Sequence, residues 1–327
     1  MSNSQREAGI SENRPADTSY PAFVLVTPAR NEAGFIEGTI KSVVAQTVRP
    51  RKWVIVSDGS TDGTDDIVTK YAAEHAWIEL IRMPERKERH FAGKVMAFNA
   101  GFERVKALPY EVIGNLDADI TFDSDYFRFL LSKFVANPKL GVGGTPFREG
   151  TQQYDYRFTN IEHVSGACQL FRRVCFEAIG GYKPIRVGGV DLMAVLTARM
   201  MGWQTRTFTE KVCDHHRKMG TGNHKGLMVA FKGGQTDYVL GVHPVWEFFR
   251  SVYQMTNKPL LFGGALRLIG FYWALLRRVD LCVSRDLMEF RRKEQMSRLR
   301  DFFTKTLRRG VLAERSQQNA ADSRGRQ

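Results

Sequence analysis

Residues 112–119 read VIGNLDAD, so that an apolar run ends in two carboxylates one residue apart. Apolar runs of this kind are typical of strands buried on both faces of a parallel sheet. Similar runs lie upstream at Phe23–Val26, Trp53–Val56 and Ile78–Ile81, separated by segments that are long enough for crossover helices. The sequence therefore predicts an α/β fold with a mostly parallel sheet flanked by helices.

Polar residues follow three of these runs. Residues 27–32 read TPARNE after the first run, residues 57–63 read SDGSTDG after the second, and residues 117–119 read DAD after the fourth. Ligands bind beyond the carboxyl ends of the strands in open α/β sheets, so we expect these three loops to converge on one site.

The carboxylates of Asp117 and Asp119 are candidate metal ligands. In an extended chain they project to one side about 7 Å apart, and two close carboxylates repel each other unless a cation lies beside them. Magnesium and manganese ions accept carboxylate and diphosphate oxygens together, which is what a phosphate-ester leaving group needs. A solvated acidic turn is the alternative interpretation of this short pattern.

The turn at residues 58–63 allows several interpretations. Asp58, Ser60 and Asp62 fit the first positions of a calcium loop, but position twelve is Thr69 rather than Glu and the turn follows a strand. A dinucleotide-binding fingerprint is absent, because no G-x-G-x-x-G follows the early strands. A Gly-rich turn capped by Asp and Ser, and an Asp58 that accepts hydrogen bonds from a ligand, both remain open.

The order of these motifs resembles the family 2 glycosyltransferases, which are inverting enzymes with a Rossmann-like GT-A fold and nucleotide-sugar donors. The resemblance covers about residues 22–215. The matching residues, in family order, are Pro28, Asn31 and Glu32, then Asp58-Gly59-Ser60, then Gly93-Lys94 with Asn99 and Gly101, and finally Asp117-Ala118-Asp119.

The resemblance implies roles for individual residues. Asp58 is expected to bind the nucleobase, Lys94 to face the donor, and Asp119 to bind Mg²⁺ or Mn²⁺. His216 is implied as a further metal ligand. The alternative is that it is a histidine of a basic loop without a metal. The remaining residues assigned to the nucleotide sugar are Pro28, Ala29, Asn31 and Glu32 near the base and ribose, and Asp117 and Ala118 near the ribose or sugar.

The resemblance also implies a general base. Family members usually carry a Glu-Asp pair about eleven residues before a Gly-Trp, and here Asp191 stands before Gly202-Trp203 while Val190 replaces the first acid. Asp191 is therefore expected to remove a proton from the acceptor hydroxyl, with inversion at the sugar carbon. A helix-capping role for Asp191 is the alternative.

The carboxyl-terminal part of the chain carries much of the positive charge. Lys and Arg outnumber Asp and Glu by 48 to 35 overall, and residues 277–327 hold 14 basic against 7 acidic residues. Residues 259–276 contain one charged residue, Arg267, and are short for a spanning helix, so an interfacial helix is predicted there. Ordinary helices packed on the catalytic domain are the alternative. A similar aromatic and basic tail occurs in bacterial family members that build cell-surface polysaccharides.

Other features restrict the cellular setting. Four cysteines without a C-x-x-C pair indicate neither a zinc site nor a disulfide framework. The first twenty residues lack the apolar region of a secretory signal, so the catalytic body is expected at the cytoplasmic face of the membrane. We expect a flexible leader at 1–20, a GT-A domain at 21–242 with halves 21–120 and 121–242, a helical extension at 243–310 and a disordered tail at 311–327.

The function predicted from these features is transfer of a sugar from an NDP-sugar, with a UDP-sugar preferred, to a glycan or lipid-linked acceptor. Anionic membrane lipid is the expected surface partner, and no nucleic acid is expected. A sugar nucleotidyltransferase is the rival enzyme, although residues 27–32 lack its Gly-rich phosphate loop. A basic nucleic-acid-binding protein is the rival without catalysis, although the basic residues gather in a terminal segment rather than on one folded face.

Overall fold

A computed structural model describes residues 19–85, 91–150, 152–153, 160–217, 227–255 and 261–324 of the chain. The expected leader at 1–20 lies outside the described residues up to residue 18. The strands are β1 Phe23–Ala29, β2 Lys52–Asp58, β3 Ile78–Met83, β4 Val112–Leu116, β5 Ile120–Thr121, β6 Leu140–Gly144, β7 Phe147–Glu149, β8 Gln152–Gln153, β9 Cys168–Arg172, β10 Gln204–Thr207 and β11 Cys213–His215. The helices are α1 Ile36–Val44, α2 Thr64–Glu74, α3 Phe91–Val105, α4 Tyr126–Ala136, α5 Arg173–Ala178, α6 Val190–Met200, α7 Leu227–Val239, α8 Pro244–Gln254, α9 Phe262–Leu276 and α10 Arg285–Arg324.

A seven-stranded sheet in the order β10-β6-β9-β4-β1-β2-β3 forms the centre of the fold. All neighbouring strands are parallel except β9, which runs antiparallel to both β4 and β6. The predicted mostly parallel α/β sheet is confirmed. Strand β1 continues past its predicted end at Val26, because Thr27–Ala29 keep pairing with Ile55–Ser57 of β2.

The core of this sheet is apolar and closed to water. Phe23 of β1 and Trp53 of β2 are almost completely buried, and the Phe23 ring packs at 5.0 Å from Phe127 of α4. The one polar atom of the Trp53 side chain is satisfied, since its ring N–H donates to Thr27 Oγ1 at 2.9 Å. Burial of large apolar side chains at about 25 cal/mol per Å² is therefore the main stabilising contribution here.

The second half of the predicted catalytic domain contains a smaller sheet in the order β5-β11-β7-β8. Strands β6 and β7 are only two residues apart in the chain, but they belong to different sheets. Thr145-Pro146 separates them, and a proline cannot donate a backbone hydrogen bond to continue a ladder. The chain therefore leaves the large sheet after Gly144 and starts the small one at Phe147.

The chain divides into two compact units. The first unit contains the described residues up to Pro184 together with Gly202–Arg217, and the second contains Ile185–Met201 and the described residues from 227 onward. The predicted boundary was residue 242. Helix α6 joins the second unit because its buried apolar side chains pack with those of α10 and the α7 end, in a cluster of Ile185, Met193, Leu196, Leu240 and Leu287.

The carboxyl-terminal helices differ in extent from their predicted segments. The predicted interfacial segment 259–276 corresponds to α9, and its first two residues lie outside the described part. Helix α10 runs to Arg324, whereas the sequence predicted a disordered tail from residue 311. Ala, Leu, Glu, Gln and Arg, which favour helix, supply most of residues 311–318, so local propensity agrees with the helix. Within the part of the chain that the structure describes, none of the helices combines the length and apolar character needed to cross a bilayer.

Candidate functional site

The loops after β1 and β2 are joined by side-chain to backbone hydrogen bonds. Asn31 has a positive φ of 55°. Its backbone N–H donates to Ser60 Oγ at 3.1 Å, and its side-chain Oδ1 accepts from the backbone N–H of Thr61 at 2.9 Å. The N–H of Ala33 donates to Asp62 Oδ2 at 3.0 Å. The predicted convergence of these two loops is confirmed, and the side chains of Asn31, Ser60 and Asp62 take part in the bonds that hold it.

Asp58 lies at the end of β2, and its side chain is almost completely buried. Its Oδ2 is 3.8 Å from Arg30 Nη1. The next residue, Gly59, has φ 64°, and a Cβ there would lie 2.5 Å from the Cα of Glu85. Only glycine allows the turn to pass this close to the chain beyond β3, so the backbone fixes where the Asp58 carboxylate is presented.

A group of potential metal ligands follows β4. One ligand atom each from Asp117, Asp119 and His215 lies within 4.8 Å of the others. Strand β11 brings the histidine to the aspartates, because it pairs antiparallel with β5 and places His215 opposite Ile120. His215 Nε2 is 3.6 Å from Asp119 Oδ1. Carboxylate oxygens and an imidazole nitrogen are a donor set that suits Mn²⁺ or Mg²⁺.

The histidine of this group is His215, whereas the sequence analysis named His216. His215 is the last residue of β11, where the pairing with β5 directs its ring to the aspartates, and His216 follows outside the strand. His216 Nε2 lies 2.8 Å from Thr121 Oγ1. The backbone N–H of His216 donates to the carbonyl oxygen of Asp119 at 2.9 Å. His216 therefore supports the strand pairing that orients Asp119, and its side chain is directed elsewhere.

The Asp117 carboxylate is the electrostatically unusual member of the group. Burial raises its pKa, the neighbouring Asp119 raises it further, and Lys94 acts in the opposite direction. Lys94 Nζ contacts Asp117 Oδ1 directly, and the lysine side chain remains 44% exposed. A divalent cation at this group would relieve the same repulsion between the carboxylates, because it favours their charged forms.

Two further charged side chains complete the group. Arg217 contacts Glu32 through its guanidinium, and its Nε lies 3.7 Å from Asp119 Oδ2. Glu149 Oε1 lies 3.1 Å from His215 Nδ1, on the side of the ring opposite Asp119. No motif in the sequence marks Glu149, whose position depends on the parallel pairing of β7 with β11.

The other predicted residues occupy supporting positions. Pro28 and Ala29 are opposite Val56 and Ser57 in the β1–β2 ladder. Ala118 is buried, and its carbonyl oxygen accepts from Thr39 Oγ1 at 2.8 Å, so α1 is tied to the loop after β4. Pro28, Ala29 and Asp58 thus lie at the carboxyl ends of β1 and β2, and Lys94 comes from α3. The other predicted donor-site residues lie in the loops after β1 and β4.

Asp191 belongs to the second unit, in the first turn of α6. The N-cap of this helix is Gly189, with φ 80°, so Asp191 does not occupy the cap position. Its side chain is half-buried. Its role as a general base stays a prediction.

Comparison with known proteins confirms the resemblance seen in the motifs. Residues 24–181 match the model of "Glycosyl transferase family 2". Poly-beta-1,6-N-acetyl-D-glucosamine synthase of Staphylococcus aureus strain MSSA476 is 28% identical over 164 residues, which are 49% of this chain and 38% of that protein. The Staphylococcus epidermidis synthase is 29% identical over 136 residues, which are 41% of this chain and 31% of that protein. The chain therefore matches well under two thirds of the length of these relatives.

Solved structures confirm the GT-A fold. A mannosyltransferase from Pyrobaculum calidifontis, solved in complex with GDP-Man and Mn²⁺, has a TM-score of 0.53 at 21% identity and covers 84% of this chain and 80% of that one. TarS of S. aureus has a TM-score of 0.50 at 12% identity over 77% of this chain and 43% of that one. The matches favour neither a nucleotidyltransferase nor a nucleic-acid-binding protein.

Proposed function

We propose that the family 2 glycosyltransferase domain at residues 24–181, with the strands that complete its sheet, transfers a sugar from a nucleoside-diphosphate sugar to a hydroxyl acceptor. A UDP-sugar is the preferred donor class. The observation that carries the proposal is the group of Asp117, Asp119 and His215 at the edge where the loops after β1, β2 and β4 lie. Asp117 and Asp119 lie within the region of family similarity, residues 24–181, which supports a donor site rather than an isolated acidic turn.

Asp119 and His215 would hold the metal, with Asp117 beside them. A bound Mn²⁺ or Mg²⁺ would supply charge neutralisation for the diphosphate as the bond to the sugar breaks. The donor set fits such an ion, since it combines two carboxylates with one imidazole in a partly buried setting. The mannosyltransferase solved with GDP-Man and Mn²⁺ supports this assignment by its fold alone.

Glu149 would orient His215. A histidine that binds a metal through one ring nitrogen usually donates from the other nitrogen to a carboxylate or carbonyl, which fixes its tautomer and ring angle. Here Nδ1 faces Glu149 at 3.1 Å and Nε2 faces Asp119. In the present arrangement the buried Nδ1 makes no hydrogen bond. A small rotation of Glu149 would let its carboxylate accept from Nδ1–H and leave Nε2 free to bind the ion.

Lys94 and Arg217 add two fixed positive charges to the same group. Both contact one of its carboxylates, Lys94 at Asp117 and Arg217 at Asp119 and Glu32. Preorganised cations next to a departing diphosphate stabilise the charge that develops on it without reorganisation. Arg217 would hold the phosphate side of the donor, while the buried Asp58 accepts hydrogen bonds from the base.

Asp191 would serve as the general base. Removal of the acceptor proton as the nucleoside diphosphate leaves from the opposite face gives inversion, and therefore a β-linkage from an α-linked donor. The acceptor would be a glycan or a lipid-linked sugar, which accords with the polysaccharide synthases among the relatives. The enzyme would act at the cytoplasmic face of the membrane, with anionic lipid as the partner of its basic carboxyl-terminal segment.

The test is a thermal-shift screen of the purified chain with UDP, GDP, CMP and ADP, each with and without Mn²⁺. A ligand that binds the folded state raises the unfolding midpoint. We expect one nucleoside diphosphate to give a Mn²⁺-dependent shift that Asp119→Ala removes. Asp214→Ala is the matched control, because Asp214 lies on the same strand as His215 but pairs with Arg148.

Two outcomes would contradict the proposal. One is the absence of a shift with every nucleotide, and the other is a shift of equal size in the Asp119→Ala variant. A shift that is present without metal and unchanged by it would remove the metal assignment, because the diphosphate would then bind through the cationic side chains alone.

A further inference from the structure

Helix α8 presents an apolar face to solvent. Its exposed side chains recur at the three- and four-residue spacing of one helix face, which is the pattern that normally turns towards a core. Each of them keeps between 39% and 50% of its surface exposed. They are Val245, Phe248, Phe249, Val252 and Tyr253.

The opposite face of α8 is polar and buried. Glu247 and Ser251 are completely buried, and Ser251 Oγ donates to Glu247 Oε1 at 3.2 Å. Arg267 of α9 donates from Nε to Glu247 Oε1 at 3.1 Å and also contacts Asp237 of α7. Arg250 donates from Nη1 to Asp237 Oδ1 at 3.2 Å.

This charge network fixes the orientation of α8. Rotating the helix to bury its phenylalanines would expose Glu247 and leave the arginines and Asp237 of the interior without their partners. Breaking a buried ion pair in this way is strongly destabilising. The outward position of the apolar face is therefore a stable property of the second unit.

Two side chains of α10 extend the apolar face. Phe303 packs at 5.3 Å from Phe249, Phe302 at 5.6 Å from Phe303, and Phe248 at 5.5 Å from Phe249. Phe302 is 62% exposed and Phe303 is 40% exposed. These four residues, Phe248, Phe249, Phe302 and Phe303, form a continuous aromatic patch that we call the phenylalanine surface.

The charge of the adjoining chain indicates what the phenylalanine surface contacts. Helix α10 continues beyond Phe303 into a strongly basic sequence, because residues 305–327 hold six Lys or Arg and two Asp or Glu. Apolar side chains that insert at the boundary of head groups and acyl chains, next to a basic segment, are the features that bind anionic membranes. A neutral groove on a partner protein could bind the aromatic rings, but it would have no negative charge to pair with the basic residues of this segment.

We propose that the phenylalanine surface inserts into an anionic lipid bilayer and is the membrane-contacting face of this protein. The inference rests on the membrane partner of the proposed function and names the residues that make the contact. The sequence indicates the 259–276 segment for this role, with Phe302 and Phe303 as further apolar anchors. The inverted polarity of α8 and its contact with α10 are the observations that favour the phenylalanine surface.

The test is co-sedimentation of the full chain with vesicles of phosphatidylcholine alone and of phosphatidylcholine with phosphatidylglycerol. We expect binding to the anionic vesicles to weaken at least about tenfold in the double variant Phe248→Ser, Phe249→Ser, since burial of apolar side chains drives insertion. The matched control is Trp273→Ser, Leu276→Ser, which alters two exposed apolar residues of α9. It should stay within about twofold of the unmodified chain, because the proposed contact lies on the other helices.

A second measurement reports insertion directly. In Phe248→Trp, the added indole emission should shift to the blue with anionic vesicles and stay unchanged with neutral ones. The two serine substitutions replace exposed side chains, so the unfolding midpoint of that variant should be retained, which separates lost binding from lost folding.

Three results would overturn the inference. The first is equal vesicle binding by the unmodified chain and the Phe248, Phe249 variant. The second is loss of binding only in the α9 control. The third is a self-associated species in solution that the Phe248, Phe249 substitutions abolish while vesicle binding persists. The Mn²⁺-dependent nucleotide shift measures the donor site separately. A chain that shows this shift but ignores vesicles contradicts this inference alone, and a chain that binds vesicles but no nucleotide contradicts the proposed function.

Discussion

The two compact units of this protein differ in how many large apolar side chains they leave exposed and in where they bury charged ones. In the first unit the buried interior is aromatic and aliphatic, as with Phe23, Trp53 and Phe127, and the charged groups of the candidate site lie at the sheet edge. In the second unit Asp237, Glu247 and Arg291 are buried, while aromatic side chains face outward. Of the large apolar side chains that are exposed among the described residues, four belong to the first unit and eighteen to the second.

This difference indicates that the units are adapted to different surroundings. The first unit has the organisation of an enzyme domain in water, where a dry core supports polar loops that bind a small ligand. The second unit pairs buried acidic side chains with arginines and leaves apolar surface available, which fits an apolar or interfacial environment on one side. The predictions below separate the properties of the two units, beginning with the largest expected effect.

Asp191→Asn should separate turnover from donor binding. We expect a loss of roughly 10² to 10⁴ in the rate of sugar transfer, because a general base contributes about that factor. The Mn²⁺-dependent nucleotide shift, which reports the first unit, should be unchanged. Asp286→Asn is the matched control, since Asp286 is also in the first turn of a helix of the second unit. Full transfer activity in Asp191→Asn would show that Asp191 is not the general base.

Glu149→Gln should weaken the metal site of the first unit without unfolding it. We expect Mn²⁺ affinity to fall by about 10- to 100-fold, which is typical when the carboxylate behind a ligating histidine is removed. Calorimetric titration measures the affinity, and nitrogen NMR of His215 reports whether the ring tautomer changes with the substitution. An unchanged affinity with an unchanged tautomer would show that Glu149 has no orienting role.

Glycine substitutions should distinguish how helices pack in the two units. A Cβ on Gly234 of α7 would lie 1.9 Å from the carbonyl oxygen of Arg267 in α9, so these helices approach at the backbone. Gly234→Ala should lower the free energy of unfolding by about 1–3 kcal/mol or more, because neither backbone can yield easily. A Cβ on Gly38 in α1 of the first unit would contact Thr121 Cγ2 at 3.4 Å. Gly38→Ala should therefore raise the free energy of unfolding by up to about 1 kcal/mol.

Chemical denaturation of both glycine variants measures these changes. Equal destabilisation by the two substitutions would contradict the contrast, since it would mean that the close approach of α7 and α9 is not what Gly234 provides.

The smallest expected effect is a pH dependence at the start of α8. His243 Nδ1 accepts a hydrogen bond from the N–H of Val245 at 3.1 Å, and burial lowers the pKa of His243, with Arg292 adding to the effect. The folded state thus favours neutral His243, so this stabilisation is present above the ordinary pKa of 6.5 and is lost as pH falls below it. Loss of the cap should cost about 0.5–1 kcal/mol.

His243→Asn keeps a cap acceptor that does not titrate near neutrality. Its stability relative to the unmodified chain should therefore rise between pH 7.5 and pH 5.5, as measured by the denaturation midpoint. A constant difference across that range would show that His243 does not cap α8 in its neutral form.

The sequence predicted the sheet well because its strands carry their own signal. The apolar runs of β1, β2 and β4 are continuous, and the polar residues that follow them mark the edge where a ligand binds. Asp117 and Asp119 were found for this reason, as was Lys94 through the family motif. These features depend on residues close together in the chain.

Features that depend on pairing between distant segments were not predictable in the same way. Whether His215 or His216 faces Asp119 is decided by the register of β11 on β5, and Glu149 reaches His215 only because β7 lies beside β11. The apolar spacing of α8 predicts a buried face, but the buried charges on its other side reverse that orientation. In each case the missing information is which distant side chain provides the partner.

Manganese binding measured by electron paramagnetic resonance tests the central claim most directly. Free Mn²⁺ gives a six-line signal in solution that is lost on binding, so titration of the protein counts bound ions. With the nucleoside diphosphate that raises the unfolding midpoint, we predict about one Mn²⁺ per chain in the unmodified protein and in Asp214→Ala, and none in Asp119→Ala. Equal binding by Asp119→Ala and the unmodified protein, or no binding with any nucleoside diphosphate, would contradict the assignment of the donor site to this group of residues.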